Sequence, residues 1–197
     1  MADTLTRLSP LHGYRSRFAE LPDSASIREE PFVAMVDLWV DPAGPDGLAV
    51  AGVLGIDALP TRPSTVTEGH DSTVIWFGPQ EWLVTSTVLA GEALETRLRE
   101  GVIEYGGAAI DVSAQRTTVR LRGEHARDVL AKGCSLDLHS SVFRPGAAAQ
   151  TMLGQAAVVL IPLADNGSDY RILVRSSFAS YLAEWLIDAA EEFGVRS

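Results

Sequence analysis

The stretch Thr117-Thr118-Val119-Arg120-Leu121-Arg122-Gly123-Glu124-His125-Ala126-Arg127-Asp128-Val129-Leu130-Ala131-Lys132-Gly133-Cys134-Ser135-Leu136-Asp137-Leu138 changes its period half-way along. Val119 and Leu121 alternate with Thr118, Arg120 and Arg122, the two-residue period of a strand with one buried and one wet face. From Glu124 to Lys132 the apolar positions are Ala126, Val129 and Leu130, the three- and four-residue spacing of a helix, and Gly133 stands where such a helix ends. A strand, a helix and a turn holding a hydrophobic–Asp–hydrophobic motif therefore follow one another. The segment Ala49-Val50-Ala51-Gly52-Val53-Leu54-Gly55-Ile56-Asp57-Ala58-Leu59 occupies the corresponding place in the first half and closes on the same motif.

Working outward gives two quasi-repeats, about residues 31–107 and 108–197. In the first, Phe32 to Val40 reads as a strand stopped by Asp41-Pro42, and Leu48 to Leu54 as a brief helix. Val74 to Phe77 and Trp82 to Thr87 read as strands joined by a Gly78-Pro79-Gln80 turn. Leu89 to Glu100 is a predicted helix with Leu94 and Leu98 on one face, Glu95 paired with Arg99, and Gly101 as its C-cap. In the second, the strands are Ala109 to Val112, Thr117 to Arg122, Gln150 to Leu153, Ala156 to Leu163 and Tyr170 to Val174. Ser176 or Ser177 is the expected N-cap of a last helix, whose apolar face carries Phe178, Tyr181, Leu182, Trp185, Leu186 and Ala189. Each half runs strand, short helix, strand, strand, longer helix. This is the α+β class, with antiparallel sheets and packed helices in two β-α-β-β-α halves.

Residues 1–30 read as an N-terminal arm before a single α+β domain, 31–197. Leu5, Leu8, Leu11, Tyr14, Phe18 and Leu21 recur at three- or four-residue spacing, but Pro10 and Gly13 interrupt any continuous helix. Such an arm is either a loosely ordered terminus or a segment that orders on a partner.

The chain has 197 residues, 46% of them hydrophobic and 21% charged, enough apolar material for a sizeable core. A net charge of -10 without basic blocks argues against nucleic acid or an anionic membrane as partner. The single cysteine, Cys134, supports no internal disulfide, and no run suits a signal peptide or a membrane span. The expected location is cytoplasmic.

Signatures for chemistry are missing: the sequence has no dinucleotide fingerprint, phosphate loop or nucleophile elbow. His12, His70, His125 and His139 lack metal-ligand spacing, and Cys134 has no identifiable base. We expect no catalytic, cofactor-binding or metal-ligating residue. Arg116, Arg120, Arg122 and Arg127 cluster in sequence. They suit either a carboxylate or phosphate on a partner, or the solvated face of a strand and its next helix. Any of Trp39, Trp76, Trp82 and Trp185 left at the surface would be an interface anchor. Asp137, between two leucines, reads as an Asx-type turn or as a carboxylate presented to an amine or pterin-like ring.

A set of ordered segments carries a resemblance. These are Trp76-Phe77-Gly78-Pro79-Gln80-Glu81-Trp82-Leu83, Asp111-Val112-Ser113, the run from Leu121 to Leu130, Gly133 to Leu138, Phe143-Arg144-Pro145-Gly146, Ala149-Gln150-Thr151, and Val174-Arg175-Ser176-Ser177-Phe178-Ala179. Together, from about residue 30 onward, they resemble the gamma subunit of heterotetrameric sarcosine oxidase. That resemblance implies a complex that oxidatively demethylates sarcosine to glycine, gives hydrogen peroxide and passes the one-carbon unit to tetrahydrofolate. It implies partner alpha, beta and delta subunits that carry FAD, FMN, NAD and tetrahydrofolate, and a gamma subunit that carries none of them. The family is also similar in fold to the folate-binding domain of aminomethyltransferases such as the glycine-cleavage T-protein. Asp137 matches that domain's aspartate, but Leu136 stands where it has asparagine, so Asp137 reads as a relic of a folate site. Two other functions remain open from sequence: an autonomous folate-binding aminomethyltransferase-like protein, and a scaffold subunit of a related N-methyl amine oxidising complex.

Overall fold

The structure is a computed structural model that describes residues 6–194. Its elements in chain order are α1 (Arg15–Ala19), β1 (Ser26–Glu30), β2 (Ala34–Trp39), α2 (Pro45–Leu54), β3 (Val66–Glu68), β4 (Thr73–Gly78), β5 (Glu81–Ser86) and α3 (Gly91–Val102). Then follow β6 (Ala108–Asp111), β7 (Arg116–Arg122), α4 (Ala126–Ala131), β8 (Ala149–Leu153), β9 (Ala156–Pro162), β10 (Asp169–Arg175) and α5 (Ala179–Ala190). Pro45 opens α2 where its missing N–H costs nothing, and Gly55, at φ 69°, closes it in the left-handed conformation.

The strands form two five-stranded sheets in the orders β3-β4-β5-β2-β6 and β8-β9-β10-β7-β1. Every pairing is antiparallel. The two orders correspond strand for strand, so the internal repeat detected in the sequence is an architectural one. The strand read at Gln150 to Leu153 is β8, and the first half holds one strand that the sequence does not show, β3, so each half runs β-α-β-β-β-α from β2 and from β7. The fifth strand of each sheet is exchanged. β1 directly precedes β2 yet pairs with β7 in the second sheet, and β6 directly precedes β7 yet pairs with β2 in the first.

Three apolar layers hold these sheets. Helices α2 and α3 cover the outer face of the first sheet, where Val36, Leu38, Val74, Trp82 and Val84 meet Val50, Leu54, Leu94 and Leu98. Helices α4 and α5 cover the outer face of the second, where Val119, Leu121, Leu160, Tyr170 and Ile172 meet Val129, Leu130, Leu182 and Leu186. Between the sheets, Met35, Ile75 and Leu83 of the first pack on Val159, Ile161 and Leu173 of the second. Because strand side chains alternate between faces, the central strands are buried on both, which explains their near-continuous apolar runs. The loops before β3 and β8 also cross: Val66 N–H donates to Gly146 O at 3.0 Å and Ala148 N–H to Ser64 O at 3.0 Å.

Several expectations are corrected. The described part of the segment read as an arm is packed on the second sheet: Leu11 is fully buried, Phe18 nearly so, and residues 26–30 are a paired strand. Leu5 lies outside the described residues. Gly101 lies within α3, whose last residue is Val102, because its bare Cα faces Val50. Ser176 and Ser177 open a 3-10 turn before α5 and give no side-chain cap; Ser176 Oγ instead donates to Ala114 O at 2.9 Å. The buried face of α5 is Ala179, Leu182, Ala183, Leu186, Ile187, Ala189 and Ala190, which keeps Leu182, Leu186 and Ala189 as read and leaves Phe178 and Tyr181 exposed. Gly154, at φ 57°, makes the tight β8–β9 turn, and a side chain there would meet the Tyr181 hydroxyl at 2.6 Å.

Candidate interaction surface

The Leu136-Asp137-Leu138 motif lies in the long loop after α4. Asp137 is exposed, and its Oδ1 accepts the His139 N–H at 2.9 Å, an Asx-type turn. Leu138 is buried beneath it and anchors the loop to the second core. Beside the motif runs an open groove of about 480 Å³, bounded by Arg62 to Thr65 of the first half and by Phe143 to Ala147 of the second. It therefore sits where the two repeats cross. Among the described residues, the buried side-chain polar atoms without a partner are Asp37 Oδ1, Trp76 Nε1, Thr118 Oγ1 and the Tyr170 hydroxyl, and none of them lines this groove.

The four clustered arginines are separated by the fold. Arg120 is committed internally: it makes a bidentate pair with Asp169, Nε to Oδ1 at 2.8 Å and Nη2 to Oδ2 at 2.6 Å. Glu30 lies 3.5 Å from the same guanidinium and accepts from Arg171 Nε at 2.7 Å. This network ties β1, β7 and β10 across the second sheet, and its hydrogen bonds with Asp169 raise the Arg120 pKa further. The sequence expectation of a fully wet β7 face is thus corrected, because Arg120 and Thr118 lie on the side turned toward the other sheet. Arg122 is exposed, 3.9 Å from Asp169. Arg127 is half-buried, and its charge partly offsets the rise that burial gives the Tyr170 phenol.

Arg116 sits apart, over the Phe77 ring at 5.5 Å, and donates to Gln115 Oε1 at 2.6 Å. Burial first, and then the charge of Arg175, push its pKa down. Sequence reading missed Arg175, Glu30 and Asp169. Each ends or begins a strand, and the register that brings them together is not written in local spacing.

The histidines also stay apart. His125 stacks on Phe193 with its Nδ1 3.0 Å from Asp128 Oδ2, His139 bonds Ser141, and His12 and His70 are exposed elsewhere. No cluster able to hold a metal ion occurs among the described residues. Cys134 is half-buried at the edge of the second core. Trp82 is buried and donates Nε1–H to Pro60 O at 2.8 Å, whereas Trp39 is 45% exposed beside Pro79 and Gln80, so Trp39 is the tryptophan left for an interface. No helix among the described residues is long and apolar enough to cross a membrane.

Residues 40–192 match the sarcosine oxidase, gamma subunit family. The chain belongs to that family. The sarcosine oxidase subunit gamma of Corynebacterium sp. (strain U-96) is 32% identical over 171 residues, covering 86% of this chain and 81% of that protein. The gamma subunit of Corynebacterium sp. (strain P-1) is 31% identical over 193 residues, 96% of this chain and 93% of that protein. Among solved structures, a chain of the heterotetrameric sarcosine oxidase from Corynebacterium sp. U-96, determined in complex with pyrrole 2-carboxylate, superposes with a TM-score of 0.85 at 30% identity, covering 97% of this chain and 98% of that one. The glycine cleavage system aminomethyltransferase T from Bartonella henselae superposes with a TM-score of 0.61 at 15% identity, over 87% of this chain and 48% of that one. At that identity the likeness is one of fold. The gamma subunit family thus shares the doubled-sheet architecture with an aminomethyltransferase.

Proposed function

We propose that this chain is the non-catalytic gamma subunit of a cytoplasmic heterotetrameric sarcosine oxidase, assembled with alpha, beta and delta subunits. The complex demethylates sarcosine oxidatively to glycine and yields hydrogen peroxide and methylene-tetrahydrofolate. The observation that carries this reading is the near end-to-end superposition on a chain of a heterotetrameric sarcosine oxidase, at 97% and 98% coverage. FAD, FMN, NAD and tetrahydrofolate belong to the partner subunits and supply the redox and one-carbon chemistry there. Support for placing tetrahydrofolate elsewhere comes from Asp137: its carboxylate is turned back onto its own loop, in an open groove with no buried unpartnered polar side chain. The residues present do not fit a cradle for a pterin ring, and no chemical step is assigned to them. The contribution of this chain is a doubly covered pair of sheets that presents fixed surfaces to its partners.

Co-expression of the chain with the alpha, beta and delta subunits tests the reading. A four-chain complex with sarcosine-dependent peroxide formation is expected, together with failed assembly when this chain is omitted. Peroxide or folate-dependent product from the isolated chain, or a fully active complex that never contains it, would refute the proposal.

A further inference from the structure

The second sheet carries two arginine pairs directly opposite each other across β7 and β10, Arg120 with Arg171 and Arg116 with Arg175. All four side chains stand on the face turned toward the first sheet. Like charges facing across a strand pair repel, and each such pair needs carboxylates close by. The first pair has them, in Glu30 and Asp169. The second makes no direct pair: among the described residues, no carboxylate lies within 4.0 Å of either guanidinium, and Asp37 and Glu81 act on Arg116 only from farther off.

The pair without a direct carboxylate partner also stands in a particular place. Arg116 and Arg175 end an open cleft of about 330 Å³ that crosses four strands of the sheet, floored by Leu173 and reaching Gln150, Thr151 and the exposed Met152. The apolar floor lowers the local dielectric, and Arg116 is already partly stripped of water. Two guanidinium groups on facing strands at the end of a cleft suit a planar carboxylate held by paired charge-assisted hydrogen bonds. The rest of the chain is acidic, so this positive site is a local exception to a net charge of -10.

We propose that the Arg116–Arg175 cleft is a docking site for an acidic side chain of a partner subunit, whose carboxylate makes the direct ion pair that neither guanidinium makes among the described residues. The inference rests on the subunit reading above and locates one contact within it. In the free chain the pair is repulsive, and in the complex it becomes the centre of a desolvated ion cluster. It therefore favours assembly at the expense of the isolated fold.

The test uses the complex formed by co-expression with the partner subunits. Dissociation of this chain is followed against sodium chloride for the wild type, Arg116→Gln/Arg175→Gln, Arg116→Lys/Arg175→Lys and the exposed control Arg15→Gln. The double glutamine variant is expected to bind roughly 10- to 100-fold more weakly, with a flatter salt dependence. The lysine variant should be intermediate and the control unchanged. In the isolated chain, Arg175→Gln should melt at or above the wild-type temperature, since it removes a repulsion. A glutamine variant that assembles with wild-type affinity and salt slope overturns the proposal alone. If that variant instead loses self-association of the isolated chain, the occupant is a second copy, and the proposal again falls. A drop in melting temperature of more than about 3 °C for Arg175→Gln would assign the pair to the fold and overturn it. Failure of the wild-type chain to co-purify at all would overturn the subunit reading with it.

Discussion

Replacing Leu11 by alanine tests whether the N-terminal segment belongs to the fold. Leu11 has no solvent exposure and packs in the same cluster as Phe18, Ile27, Val119 and Leu121. Its segment is pinned twice to Glu29 of β1: Ser9 Oγ donates to Glu29 Oε2 at 2.5 Å and Leu11 N–H to Glu29 Oε1 at 3.2 Å. Truncating a fully buried leucine removes three carbons from a packed core and leaves a cavity, at a cost of about 2–5 kcal/mol. For a chain of this size that corresponds to a fall in melting temperature of roughly 5–15 °C. Urea titration gives the free energy, and Leu8→Ala, at a residue 63% exposed, is the control expected to change stability by less than about 0.5 kcal/mol. A double variant Leu11→Ala/Ile27→Ala should be non-additive, since both residues line one cluster. If Leu11→Ala matches its Leu8 control, the segment is not docked on the second sheet, and the reasoning from its burial is wrong.

Two further outcomes follow from individual groups. Tyr170→Phe should leave stability unchanged or raise it by about 1 kcal/mol, because the Tyr170 hydroxyl is buried without a partner and its removal relieves a desolvated donor; a clear loss in urea titration would mean that the hydroxyl is bonded. Burial, reinforced by the charge of Asp37, raises the Glu81 pKa. The folded state therefore holds the Glu81 proton more tightly than the unfolded state, and ionisation of Glu81 opposes folding once the pH is above the ordinary glutamate range. Glu81→Gln is expected to stabilise the chain at neutral pH by less than about 1 kcal/mol and to lose that advantage as the pH falls through that range. A pH-independent difference would rule out the assignment.

What the sequence made legible was whatever local periodicity encodes. The helices around Leu94 and Leu182, the hairpin at Pro79 and the turn at Gly154 are written in spacing and turn chemistry, and all four stand in the structure. β3 escaped notice because its three residues, Val66–Glu68, are too few for a period to show. β1 was hidden for a different reason. Ser26-Ile27-Arg28-Glu29-Glu30 is rich in charge, and its stability comes from partners near residue 120 that no local pattern reveals. The same holds for the arginines. Arg116 to Arg127 form a cluster in sequence, yet strand register sends Arg120 into an internal network and pairs Arg116 with Arg175. The relation of Asp137 to Asp57 was visible because it rests on matching neighbours; at Asp137 itself the residues left an Asx-type turn and a presented carboxylate both open, and the placing of the His139 backbone decides for the turn.

The exchanged outer strands also govern when the molecule can finish folding on the ribosome. Ser26 of β1 bonds to Arg122, 96 residues further along. At a synthesis rate of roughly 5–20 residues per second, β1 waits about 5–20 s for its neighbour to be made. The first sheet gains its last strand from the opening residues of the second repeat, so neither repeat closes before the other has begun to emerge. Nascent β1, with Arg28, Glu29 and Glu30 among its five side chains, spends that interval as an unpaired edge, and its charges discourage premature pairing with another chain.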